Sequence, residues 1–326
     1  MKYGQAISSA FSTLKSGALW GFAATTYGAI AMLHAVLLGG AAAIAGPSGM
    51  AEALKDPTRF GSELIAPLLL LAGALTLAIL ITIPLSLIMH GGFIHLADEA
   101  LAGRHVSVGQ GWSFGARRMG RTFGIDFLVG LFTFVGSLVA MIPFGIAVFG
   151  LAASSGSDTP GAGAIVGICC GYLVLLVFIV ALSLVAAGYE SLAIRYGLVG
   201  GRPVGDALGS AWTALKARWK NVVVFSLIAM GLGYAYSMAT SVITVPLQFL
   251  LMPSRFFASA TPSAEQLPRM FGAYAILVVV SVVISIPWMV FRYSLWGAFF
   301  RQLTGLDAIA DTPAPPAPPT APPVDV

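Results

Sequence analysis

The sequence predicts an all-α polytopic membrane helix bundle: six transmembrane helices in three parallel repeats, each led by an N-terminal amphipathic interfacial helix. Three observations predict it. First, the 326-residue chain is 58% hydrophobic and only 9% charged, with a mean hydropathy of +0.90. A soluble domain carries about 25% charged residues, so this chain lacks the polar groups to cover a soluble surface. That excludes an ordinary soluble enzyme, a disordered protein and a disulfide scaffold. Second, six apolar runs are long enough to cross a bilayer core of about 30 Å, which takes roughly 20 helical residues. Third, the chain repeats itself: GQAISSAFSTLK from Gly4 to Lys15 aligns without a gap on GDALGSAWTALK from Gly205 to Lys216.

Taken in order, the first unit spans residues 1–103 and opens on the helix 4–15. Its apolar stripe is Ile7, Ala10, Phe11, Leu14 and Ala18, which recur at helical spacing. The run 17–45 follows. It is too long for a signal-peptide core of about 7–15 residues and reads as a span. The second span is 64–89. The second unit, 104–202, opens on a looser amphipathic stretch, Val108 to Arg121, and continues through spans at 122–151 and 163–187. The third unit, 203–305, opens on the stripe Leu208, Ala211, Trp212, Leu215 and Trp219, with spans at 221–250 and 270–296. Gly103-Arg104-His105 and Gly201-Arg202-Pro203 mark the unit boundaries, and Ile81-Thr82-Ile83-Pro84 in span two matches Ile284-Ser285-Ile286-Pro287 in span six. A unit with two crossings returns to its starting side, so the repeats are parallel. The stretch 306–326 is a Pro-rich tail, expected to be extended and disordered.

Charge sets the orientation. Lys2, Lys15, Arg104, Arg117, Arg118, Arg121, Arg195, Arg202, Lys216, Arg218, Lys220, Arg292 and Arg301 fall on one side, and only Lys55, Arg59, Arg255 and Arg269 on the other. The first side is expected to be cytoplasmic, with both termini inside, in a bacterial-type inner membrane. Cys169 and Cys170 are adjacent in an apolar span, a poor geometry for a mutual disulfide, and read as packing residues.

Three sets of residues are candidates for function. The interfacial helices offer aromatic and basic groups to lipid headgroups: Phe11, Lys15, Trp112, Arg117, Arg118, Arg121, Trp212, Lys216, Arg218, Trp219 and Lys220. A polar path is offered by His90, Asp126, Ser183, Glu190, Ser237, Ser241 and Arg292. His90, Glu190 and Arg292 end the even-numbered spans within about one turn of each other in depth. They either converge on a vestibule, or Glu190 pairs with Arg292 or Arg195 at headgroup level. Ionisable groups at membrane depth are costly unless paired or hydrated. Asp126 either turns back to Arg121, Arg118 or Lys220 or serves a proton or cation path. The span-five hydroxyls either line a wet cavity or bond back to their own helix. Finally, Gly163-xxx-Gly167-xxx-Gly171 puts small residues on one helix face for close packing, within the chain or against a second copy. His90, His95, Asp98 and Glu99 make a poor metal set on one continuous helix, and no catalytic or nucleotide-binding fingerprint occurs. The catalytic, metal and cofactor sets are therefore empty.

The amphipathic leading helix with its aromatic residue and Lys, followed by an apolar pair and repeated over six spans, resembles a loose bacterial set. That set holds the membrane domain of glycerophosphoryl diester phosphodiesterases and the YciC-like inner-membrane proteins. The resemblance covers residues 1–305 and implies a membrane domain with no chemistry of its own, since catalysis in the phosphodiesterases belongs to a separate soluble domain. The reading that follows is a non-enzymatic module acting through lipids or protein partners in envelope maintenance. The alternative is a small-solute transporter or channel with its path along the cytoplasmic ends of the even-numbered spans. The partners implied are membrane lipids through anionic headgroups, with a second copy or another membrane protein as further candidates, and not nucleic acid.

Overall fold

The computed structural model describes residues 2–45, 62–154, 162–251 and 266–305. The expected loops between paired spans, the Pro-rich tail and Lys55, Arg59 and Arg255 lie outside the described residues. Within them the chain is helical, with no strand. In chain order the helices are α1 (Tyr3–Thr13), α2 (Gly17–Ala45), α3 (Ser62–Leu101), α4 (Val108–Ser154), α5 (Ala162–Leu198), α6 (Val204–Ala217), α7 (Trp219–Leu251) and α8 (Gln266–Thr304). Six of them, α2–α5, α7 and α8, are long and apolar enough to cross a membrane. The protein is an all-α polytopic helix bundle.

The expected short leading helices exist as α1 and α6, but the middle one does not. Its residues are the first turns of α4, a single helix of 47 residues, roughly 70 Å long at 1.5 Å per residue. The difference is local. After α1 the chain turns at Leu14–Ser16, where the Trp20 indole donates to the Leu14 carbonyl (2.7 Å). After α6, Arg218 leaves helical geometry (φ −133°). No such break interrupts Arg117–Asp126. Instead the first turns of α4 press against α3 through glycines. A Cβ at Gly115 would stand 2.1 Å from the Ile88 carbonyl oxygen, and one at Gly92 would stand 2.4 Å from the Phe22 ring.

Contacts close the six long helices into a ring in the order α2, α3, α4, α5, α7, α8, with α8 also touching α1 and α3. The ring is tight at one end only. The buried core draws on Ala6 and Ala10 of α1, Leu19 and Phe22 of α2, Phe93 and Ile94 of α3, Ile125 of α4, Leu192 and Ile194 of α5, Ala207 and Ala211 of α6, Phe225 of α7, and Leu295 and Phe299 of α8. Phe225 stacks on Phe299 with ring centroids 3.9 Å apart, and Phe22 meets Phe93 edge-on at 5.0 Å. This end carries most of the Lys and Arg and is called the basic end below. Each even-numbered span ends here at a glycine in the left-handed region: Gly103 (φ 72°), Gly201 (φ 69°) and Gly305 (φ 75°). L side chains rarely adopt that geometry, and it closes helix C-termini cheaply only for glycine.

Away from the basic end the spans part. Phe132, Val139, Leu173, Val177, Val242 and Val279 are all exposed. The physical reason is the solvent. Charged turns need water, and there the hydrophobic effect drives packing. In lipid, apolar helices gain no such drive. Of the expected packing glycines, Gly171 sits against Phe144 of α4 (3.4 Å from an added Cβ), Gly167 is exposed, and the surroundings of Gly163 lie outside the described residues. Glycines that do bring helices together include Gly92, Gly111 and Gly115 at the α3–α4 crossing, Gly188 and Gly197 on α5, and Gly297 on α8.

Candidate functional site

Where the ring is tight, its polar groups meet. His90 of α3 brings Nδ1 to 3.6 Å from Asp126 Oδ2 of α4. The His90 ring meets Tyr293 of α8 edge-on at 5.4 Å, and Tyr293 stacks on Phe93 at 4.9 Å. Glu190 of α5 lies in electrostatic reach of Asp126, His90 and Arg292. Three of the polar-path candidates, with Arg292 beside them, thus come together from four helices. Asp126 Oδ1 is buried without a hydrogen-bond partner.

The expected return of Asp126 to Arg121, Arg118 or Lys220 does not occur. Five residues of continuous helix turn it roughly 140° away from Arg121. Arg121 donates to the Gly197 carbonyl of α5 (2.7 Å), Arg118 lies over the Phe114 ring, and Lys220 over Trp219. The same helical rotation separates Glu190 from Arg195. Arg195 is fully buried and donates to the Ser191 carbonyl and across to the Tyr293 carbonyl, both at 3.0 Å. Among the described residues Glu190 has no ion-pair partner within 4.0 Å, neither Arg195 nor Arg292.

One polar contact escaped the sequence reading. Asp98 of α3 and Arg301 of α8 form an ion pair at 3.2 Å, with side chains only 11% and 10% exposed. The signal was present in the repeat. Asp98 stands fourteen residues after Pro84, and Arg301 fourteen after Pro287. His90 and Tyr293 likewise each stand six residues after those prolines. Register-equivalent positions of units one and three therefore touch twice.

Beside the cluster the parted spans leave lateral cavities. One of about 520 Å³ lies between α5, α7 and α8, lined by Ser183, Ser226, Ser237, Trp288, Arg292 and Trp296 among others. A second, of about 490 Å³, is almost wholly apolar and lies between α4, α5 and α6 under Trp212. A third, of about 350 Å³, carries Thr133, Ser137, Ser183 and Glu190 between α4 and α5. Ser237 and Ser183 therefore face cavities. Ser241 does not use its hydroxyl there, since it bonds back to the Met238 carbonyl (2.7 Å).

The interfacial candidates divide. Trp212, Lys216, Arg218, Trp219 and Lys220 form one exposed corner where α6 meets α7, with Lys216 over Trp212 (5.6 Å) and Lys220 over Trp219 (5.8 Å). The leading helices α1 and α6 both bury alanines and expose one aromatic each, Phe11 and Trp212: α1 buries Ala6 and Ala10, α6 buries Ala207 and Ala211. Phe11 and Lys15 are exposed, although Phe11 also touches Phe291 (4.8 Å). Arg117 is exposed as well. Trp112 is half-buried: its indole donates to Thr25 (3.4 Å) and its ring abuts Phe22 (5.8 Å), because α4 spends that face on α2 and α3. Arg121 is likewise occupied in tying α4 to α5.

Residues 1–305 match a family of unknown function, DUF7544. The chain belongs to that family. All eight helices, the polar cluster and the cavities fall inside the DUF7544 match. Neither the curated proteins nor the solved structures contain a match to the chain.

Proposed function

We propose that this DUF7544 chain is a non-enzymatic lipid-interacting module of a bacterial-type inner membrane, with its basic end and both termini cytoplasmic, acting in envelope maintenance. The observation that carries this reading is the parting of the spans. They pack firmly only at the basic end and leave apolar cavities between them, two of them edged by tryptophans. Tryptophan and Lys/Arg at one corner match the composition of a headgroup interface. The left-handed glycines that end all three even-numbered spans support the three-unit organisation, and the likeness to the phosphodiesterase membrane domains and YciC-like proteins points the same way.

The test is lipid co-purification of the K216E/R218E/K220E variant. Anionic phospholipid bound per chain is expected to fall several-fold, since each basic residue near a charged leaflet contributes about 1 kcal/mol. Unchanged retention would overturn the reading.

One observation favours transport instead: Asp126, His90 and Glu190 gather beside a cavity that carries Thr133, Ser137 and Ser183. On that reading, solute flux in liposomes is lost in E190Q. Flux absent from the wild type across a broad solute screen removes it.

A further inference from the structure

The cavity between α5, α7 and α8 has the features of a headgroup site. Arg292 lies in its lining within a candidate span. Its residue is exposed, and among the described residues it makes no hydrogen bond and no ion pair within 4.0 Å. Glu190 is near enough to be felt electrostatically but not to neutralise it by contact. A guanidinium at membrane depth without a partner is costly, and its fork of donors matches a phosphate.

A second observation is independent of the charge. Ser226 of α7 lines the same cavity. It is 4% exposed, and its Oγ is buried without a partner. Buried hydroxyls are normally satisfied, and none of the described residues supplies this one with a partner. Gly188 of α5 packs closely against it: a Cβ there would stand 3.0 Å from Ser226 Oγ and 2.8 Å from Val222. Trp288 and Trp296 flank Arg292 one turn to either side on α8 and also line the cavity. The rest of the wall sets aliphatic Ile179, Val180 and Leu184 of α5 and Met230 of α7 beside the hydroxyl-bearing Ser183, Tyr234 and Ser237. The volume, about 520 Å³, is in the range of ligand pockets, roughly 300–1,000 Å³.

We infer that this cavity binds one anionic glycerophospholipid, its phosphate on Arg292 and Ser226 and an acyl chain along Ile179, Val180 and Met230. The inference rests on the lipid-module reading and narrows it to one site. The charge selects the headgroup, and the aliphatic wall selects a lipid over a free anion.

The experiment uses the full chain in phosphatidylcholine nanodiscs doped with phosphatidylglycerol carrying an acyl-chain diazirine. After photolysis the adducts are mapped by peptide mass spectrometry. Adducts are expected on α5 and α7 within the cavity. R292Q lowers them about ten-fold, the loss of one charge-assisted contact, S226A lowers them less, and R292K retains most of them. Equal labelling by diazirine phosphatidylcholine, unchanged adducts in R292Q, or displacement by soluble glycerol phosphate would each overturn the inference. The interfacial variant K216E/R218E/K220E separates the two levels. If it loses bulk anionic lipid while wild-type adducts fall elsewhere than this cavity, the site fails and the module stands. If the wild type retains no anionic lipid, both fail.

Discussion

At the residue scale, the contacts that matter most are polar ones between helices that are distant in sequence. Asp98 and Arg301 are nearly enclosed, so removing Asp98 takes a close anionic contact from a buried guanidinium. Breaking such a pair costs about 3–5 kcal/mol, whereas replacing both partners with apolar residues is often neutral. D98A should therefore lower the unfolding free energy of the detergent-solubilised chain by about 3 kcal/mol, and D98L/R301M should recover most of it. Denaturant titration followed by tryptophan fluorescence measures both. The sequence showed Asp98 and Arg301 only as residues near helix ends. Their pairing was legible from the Pro84 and Pro287 registers, but not their burial. Asp126 was harder to read. Whether it faced Arg121 or His90 depended on α4 being one uninterrupted helix, and no residue pattern in Val108–Arg121 announced that.

At the element scale, the six spans and the two leading helices α1 and α6 were legible because apolar length and the Gly4/Gly205 repeat are strong signals. The fused middle element was not, because its defining interaction is a helix crossing, and crossings are set by atoms from another segment. Gly115 has the backbone of Ile88 where a side chain would go, while Gly109, six residues earlier on the same helix, has open space around it. G115V should abolish recovery of folded monomer in size-exclusion chromatography. G109A should leave it intact, because Ala is favoured over Gly within a helix by about 0.5–1 kcal/mol. Equal recovery of the two variants would contradict the α3–α4 crossing. The glycine row Gly163, Gly167 and Gly171 looked like the stronger packing signal in sequence. Its spacing alone could not show that Gly171 meets Phe144 of α4 while Gly167 is left exposed.

At the scale of the whole molecule, one balance explains the shape. Water at the basic end drives Phe225 and Phe299 into one buried cluster and Phe22 and Phe93 into a second, at roughly 1.5–3 kcal/mol for each such side chain fully buried. Lipid supplies no equivalent force between the opposite halves of the spans, so those halves stand further apart. The polar cluster and the cavities sit where these two regimes meet, which is why the groups of the candidate site lie at similar heights on different helices. The sequence disclosed that height through the repeat register, while the cavities, which depend on how far the helices part, were not encoded in any local pattern. The measurement that tests this account most directly is native mass spectrometry of the wild-type chain during stepwise delipidation from its membrane. The account predicts that anionic phospholipid stays bound in a defined ratio to the chain after zwitterionic lipid has gone. A chain stripped of both classes with equal ease would contradict it.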